Sequence, residues 1–103
     1  MDNTIIRDVF VAFMRVHLLH HAAKAPIFGL EMIEELRRHG YKLSPGTLYP
    51  ILHGLESAGL VRSRTEVVNG KMRKYYSATA KGRRALAEAR QKIGELVSEV
   101  LEE

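Results

Sequence analysis

From Leu43 to Val61 the chain reads LSPGTLYPILHGLESAGLV, and NGKMRKYY follows within a dozen positions. The first stretch has a start, a stripe and a stop. Ser44 is a natural N-cap, and Pro45 fits the first helical position, where its missing N–H costs nothing. Leu48, Ile51, Leu52 and Leu55 recur at the spacing of one helix face. Gly59 ends the helix. The opposite face carries Gly46, Tyr49, Pro50, His53 and Ser57, with no apolar run that needs cover. A proline deep inside a helix costs about 3 kcal/mol. Pro50 follows the first turn closely, so only the Gly46 carbonyl is left free. A smaller cost and a local bend are expected.

The second stretch is a hairpin. Asn69-Gly70 favours a type I′ turn, which needs positive φ at both positions. Strands are expected over 60–68 and 71–78. The turn sets Val68 opposite Lys71, Val67 opposite Met72 and Glu66 opposite Arg73, giving one apolar pair and one ion pair. Tyr75 and Tyr76 must face opposite ways, Tyr76 to the core and Tyr75 outward.

A first helix is expected from Asn3 or Thr4 to about Ala23. Ile6, Val9, Phe10 and Phe13 form one stripe, with Val11, Met14 and Leu18 on other sides. A helix apolar all round must be covered on more than one side, which points to a second copy of the chain. Pro26 ends this helix, and Ile27-Phe28 reads as an edge strand. A second helix spans about Gly29 to His39, with Leu30, Ile33 and Leu36 inward and Met32 nearby. Its acidic residues come early and its basic residues late, as the helix dipole favours. Gly40 suits the position just past its end. Thr79 can cap a last helix over 80–101, where Leu86, Ala89, Ile93, Leu96 and Val100 keep a heptad spacing and Val97 lies beside them. Gly94 in that helix permits close approach of a partner.

At 103 residues the chain is one domain. It has no cysteine, which excludes disulfides, thiolate catalysis and cysteine-ligated zinc. Arg15 and three histidines interrupt the apolar run Val9–Ala23, and Asp2 and Asp8 stand where a signal peptide would be positive, so neither a leader nor a membrane span is expected. The net charge of +4 is unevenly placed. Residues 1–36 sum to −2, residues 37–78 to +6 and residues 79–103 to zero. The excess sits on the marked helix and the hairpin, which suits a polyanionic partner.

The order helix, short strand, helix, helix, strand, turn, strand, helix is a mainly α fold with a small antiparallel β-hairpin. It reads as a winged helix-turn-helix with an added helix at each end. Residues 1–78 would form the DNA-binding unit and residues 79–103 a dimerisation helix. The third helix would enter the major groove.

The segments LHHAAKAPIFGLEMIEEL, LSPGTLYPILHGLESAGLV and RKYYSATAKGRRAL, with a single closing helix, resemble the PadR family of bacterial transcriptional regulators over almost the whole chain. The single closing helix resembles the shorter PadR subgroup. The resemblance implies a cytoplasmic homodimer held by the first and last helices and bound to an inverted-repeat operator in double-stranded DNA. It implies a repressor released by a small aromatic or drug-like molecule. Ser44, Thr47, Tyr49 and His53 would then face the groove, with Lys71, Arg73 and Lys74 on phosphates or the minor groove, and Arg38 and Lys42 beside the turn. The dimer would use Phe10, Phe13, Met14, Leu86, Ala89, Ile93, Leu96, Val97 and Val100. Phe10, Phe13 and Met14 would line the effector site, since the chain has no tryptophan. Gly54 stands where relatives often carry a long basic residue, and Phe28 where tyrosine is common.

Two rival readings follow from the same residues. One is a winged-helix dimer used only for protein contacts. The other is a metal-responsive regulator using His17, His20 and His21, whose i, i+3, i+4 spacing shares a helix face. No cofactor is expected. No nucleophile, base and orienting group can be assembled, so an enzyme is not expected.

Overall fold

The computed structural model describes residues 3–102. Asp2 and the outer limits of the two expected units, Met1 and Glu103, lie outside the described residues. Among the described residues four helices and three strands follow in the order α1 (Thr4–Lys24), β1 (Ile27–Phe28), α2 (Gly29–Arg38), α3 (Pro45–Ser57), β2 (Val61–Val68), β3 (Lys71–Ala78) and α4 (Ala80–Val100). Among the described residues no helix is long and apolar enough to cross a membrane.

The sheet is antiparallel with strand order β1-β3-β2. Asn69 and Gly70 take φ of 52° and 77°, as the hairpin turn requires. The register follows, with Val68 opposite Lys71, Val67 opposite Met72 and Glu66 opposite Arg73. The expected Glu66–Arg73 ion pair is not formed. Glu66 instead meets Arg64, two residues back on the same face of its own strand, at 3.4 Å. Arg73 is drawn away onto the Phe28 ring of β1.

The core lies between α1, α2, α3, the inner face of the sheet and the first turns of α4. Leu48, Ile51, Leu52 and Leu55 are all buried, as their spacing demands. Tyr76 is buried and Tyr75 only half so. Leu30, expected to face inward, is 56 % exposed, because Ile33 and Leu36 take that face and Leu30 falls outside it. Met14, expected at a dimer surface and at an effector site, is 0 % exposed inside a single chain. It faces the core beside Leu18, while Ile6, Val9 and Phe13 form the outward stripe of α1. Leu86, also expected at the dimer surface, is likewise buried in its own protomer. The core therefore runs across the expected division at residue 78.

The junction of α3 with α4 explains the segment SATAKG. Thr79 Oγ1 accepts the Gly82 N–H at 3.0 Å, which caps α4. The same hydroxyl donates to the Gly59 carbonyl at 2.6 Å, and Lys81 Nζ donates to the Ala58 carbonyl at 2.8 Å. Three carbonyl-side needs at the end of α3 are thus met from the start of α4, together with Thr79 N–H to the Leu60 carbonyl at 3.0 Å. Gly82 has to be glycine here. A Cβ would stand 1.9 Å from the Leu60 carbonyl oxygen.

Beyond this anchor α4 leaves the core. Leu96 and Val100 are 58 % and 56 % exposed. Ala89, Ile93 and Val97 are half-buried. The first turns of α1 match this, with Ile5 and Ile6 also open to solvent. No side chain lies within 4 Å of a Cβ built at Gly94.

Candidate nucleic-acid interface

α2 and α3 are joined by the six residues 39–44 and form a helix-turn-helix. Ser44 is the N-cap of α3, but its side chain caps no backbone N–H. Its carbonyl accepts from Thr47 and Leu48, each at 3.0 Å, and its hydroxyl lies 3.4 Å from the Thr47 hydroxyl. Both hydroxyls therefore stand together at the exposed start of α3. Pro50 lies inside the helix, which continues to Ser57.

Thr47, Pro50 and His53 are exposed on the outer face. Tyr49 is half-buried, and its ring lies against the first residue of α2. A Cβ on Gly29 would come within 2.6 Å of Tyr49 Oη and 2.8 Å of Cε1 and Cζ. The missing side chain at Gly29 is what lets the phenol end of the ring come this close to the α2 backbone. The His53 ring follows one turn on, 6.3 Å from the Tyr49 ring. Sequence periodicity places Tyr49 on this face but gives no sign of its seat on Gly29.

The wing is tied to α3 by Glu56. Its carboxylate accepts from Ser63 Oγ at 2.5 Å and stands 3.9 Å from Lys74 Nζ. One acidic side chain in the last turn of α3 thus holds both wing strands. Strand alternation puts Ser63, Lys74 and the buried Tyr76 on the inner face. The Lys74 ammonium also lies over the Tyr76 ring, 5.5 Å from its centre. Burial pushes the Tyr76 phenol above its ordinary pKa.

Lys71 and Arg73 are on the outer face instead. Lys71 is exposed beside the turn, and the Arg73 guanidinium lies 4.8 Å from the Phe28 ring centre. The three wing cations grouped by sequence therefore divide between two faces. Arg38 and Lys42 are exposed near the turn of the helix pair, with Arg38 3.6 Å from Glu35. The exposed hydroxyls and imidazole of α3, beside a hairpin with cations on both faces, offer hydrogen-bond donors and positive charge. No catalytic constellation is present among these groups.

The sequence of residues 18–88 matches the family of PadR-like transcriptional regulators. The chain belongs to that family. It is 50 % identical over 96 residues to the transcriptional regulator Rv3488 of Mycobacterium tuberculosis, covering 93 % of this chain and 90 % of that one. Among solved structures it is similar to a PadR-like transcription factor from Bacteroides fragilis, with a TM-score of 0.82 and 28 % identity, over 96 % of each chain. It is also similar to a PadR-like regulator from Bacillus cereus, with a TM-score of 0.79 and 27 % identity, over 86 % of this chain and 88 % of that one. The winged helix-turn-helix expected from the sequence is the fold of these PadR relatives, and the family consists of regulators of transcription, not enzymes.

The histidines of α1 do not converge. The His17 ring faces His39 at 5.6 Å and Tyr41 at 5.5 Å, both at the end of α2 and the turn beyond it. The His20 ring lies 5.2 Å from His21, and its Nδ1 is 2.9 Å from Arg90 Nη2 on α4. Among the described residues no group of three or more His, Asp or Glu side chains is placed to hold a metal. Burial holds both His17 and His20 below the ordinary imidazole pKa, with the nearby positive and imidazole groups adding to it. Between α1 and α4 these side chains border a cavity of about 330 Å³ lined by Phe13, Val16, His17, His20, Leu86, Arg90 and Ile93. Of the three expected effector-site residues only Phe13 lines it. Phe10 turns to Tyr41, at 5.7 Å, and Met14 is in the core.

Proposed function

We propose that two copies of this PadR-like regulator pair through α1 and α4 and repress transcription by binding an inverted-repeat operator in double-stranded DNA. The observation that carries this reading is α3, fixed by Glu56 to a cationic wing, with Thr47 and His53 exposed and Tyr49 seated at its edge. Ser44, Thr47, Tyr49 and His53 enter the major groove. Lys71, near the wing turn, meets phosphate or the minor groove, with Arg73 and Lys74 behind it. Arg38 and Lys42 hold the neighbouring backbone. The two α3 helices stand about 34 Å apart, one turn of B-DNA.

Pairing is supported by the apolar stretches that one chain leaves open, Ile5, Ile6, Val9 and Phe13 on α1, Leu96 and Val100 on α4, and Leu101 just past its end. Ala89, Ile93 and Val97 complete the seam, and Phe10 lies at its edge. The cavity between α1 and α4 is of a size that fits a small apolar or aromatic effector. The protein works in the cytoplasm, where its operator is accessible.

The test is a mobility shift on the DNA upstream of its own gene at two salt concentrations. Binding that weakens steeply with salt supports the reading. Absence of salt-dependent binding to any duplex supports a dimer used for protein contacts alone.

A further inference from the structure

We propose that the outer face of the sheet is a second DNA surface, which grips the phosphate backbone flanking the site occupied by α3. This rests on the DNA-binding reading above and extends it to Arg62 and Arg64, which that reading does not use.

Strand alternation separates two faces. Val61, Tyr76 and Ala78 are buried inward. Arg62, Arg64, Lys71 and Arg73 therefore point outward, where the register sets Arg62 beside Ser77 and Arg64 beside Tyr75. Glu66 is the one carboxylate of β2 and β3, and it is engaged by Arg64 at 3.4 Å. Arg62 and Lys71 have no acidic partner among the described residues. The face thus carries four cations against one anion on two strands.

The aromatic residues of this face prepare it for an anion. Phe28 and Tyr75 stack with ring centres 5.8 Å apart, and Arg73 lies over Phe28. A guanidinium laid on a ring keeps its N–H edge free and loses little further entropy on binding phosphate. Successive cations on one strand stand about 7 Å apart. That is twice the axial rise per phosphate of a DNA strand, so each can meet a different phosphate.

The position of the face decides which DNA it meets. Glu56 of α3 is held by Ser63 and Lys74 on the inner face. Arg62 and Arg64 point the other way and do not reach the groove that holds α3. Lys71, at the wing turn, is continuous with the DNA surface already described. Duplex lying beyond the wing fits both the direction and the charge.

The experiment compares two duplexes with the full-length chain. One is trimmed to the protected operator; the other extends about ten base pairs beyond each end, one further turn. Affinities are measured by fluorescence anisotropy for the wild type and for Arg62→Gln/Arg64→Gln. The wild type is expected to prefer the extended duplex by about tenfold at equal salt. The double variant loses that preference, keeps wild-type affinity on the trimmed duplex, and shows a salt slope on the extended duplex shallower by about 0.9 for each phosphate no longer neutralised. Equal losses on both duplexes, or a wild type indifferent to the flanks, overturn the proposal. Unchanged binding of the variant to both also overturns it. A wild type that binds neither duplex removes the DNA reading itself.

Discussion

The inner and outer halves of the α1–α4 pair are built from the same kinds of residue and come to opposite states. Met14 and Leu18 on α1 and Leu86 on α4 are buried, and Thr79, Lys81 and Gly82 anchor the start of α4 to the end of α3. About two to four turns away, Ile5, Ile6, Leu96 and Val100 stand open. Apolar character alone does not decide burial. The inner half has the sheet and α3 to pack on, whereas the outer half has run past everything its own chain supplies. A small domain has too little material to cover both. The inner half thus serves the stability of one protomer, and the outer half is left open for the pairing proposed above.

Substitutions can separate the two halves. The largest effect belongs to the inner half. Gly82→Ala drives a Cβ into the Leu60 carbonyl, which is backbone and cannot turn aside. A loss of about 1–3 kcal/mol or more is expected, read as a fall in the midpoint of thermal or urea unfolding. Leu86→Ala should cost about 2–5 kcal/mol by the same measurement. If either variant keeps wild-type stability, the inner half is not the anchor.

The outer half should behave differently. Leu96→Glu is expected to leave secondary structure intact and to abolish pairing, with protomer stability changed by about 0.5 kcal/mol or less. Sedimentation equilibrium checks the mass directly. A variant that stays paired would place the seam elsewhere.

Gly29→Ala tests the seat of Tyr49. The groups that must move are the far atoms of a side chain, so unfolding should change less than for Gly82→Ala. Operator affinity should fall about tenfold, the equivalent of about 1.4 kcal/mol. In a Tyr49→Ala background the same substitution should cost no further affinity. Additive losses would separate Gly29 from Tyr49.

The smallest expected effect is on pH. His17 and His20 have pKa values lowered below their unfolded value by burial first. The unfolded chain therefore binds more protons than the folded one near and below pH 6.5, the ordinary imidazole value. Their contribution is complete above that pH and is lost as pH falls through the lowered values. Urea unfolding between pH 7.5 and 5.5 should show declining stability, and His17→Gln should flatten the decline. An unchanged slope in that variant would mean His17 does not report burial beside His39.

Local rules make much of this molecule legible in the sequence. The Asn69-Gly70 turn fixes the register of the hairpin residue by residue, because turn geometry leaves one pairing. Ser44-Pro45 and Gly59 bound α3, and Thr79 caps α4, because each element end has its own chemistry. What escapes are matters of which neighbour wins. A helix apolar on all sides does not reveal that Met14 turns inward while Phe13 turns out. A charged residue does not reveal its partner, so Glu66 pairs with Arg64 and not with Arg73. Wing alternation is enough to separate Lys74 from Lys71 and Arg73, since Lys74 shares its face with the core residue Tyr76. Gly29 beneath Tyr49, and Glu56 between α3 and the wing, join positions far apart in the chain and carry no local signal.

The most direct test is a protection footprint of the purified protein on the DNA upstream of its own gene, with stoichiometry measured on the protected fragment. Two protomers should protect two symmetric half-sites whose centres lie about one helical turn apart. A single protomer per site, or protection without half-site symmetry, would contradict the paired architecture on which the account depends.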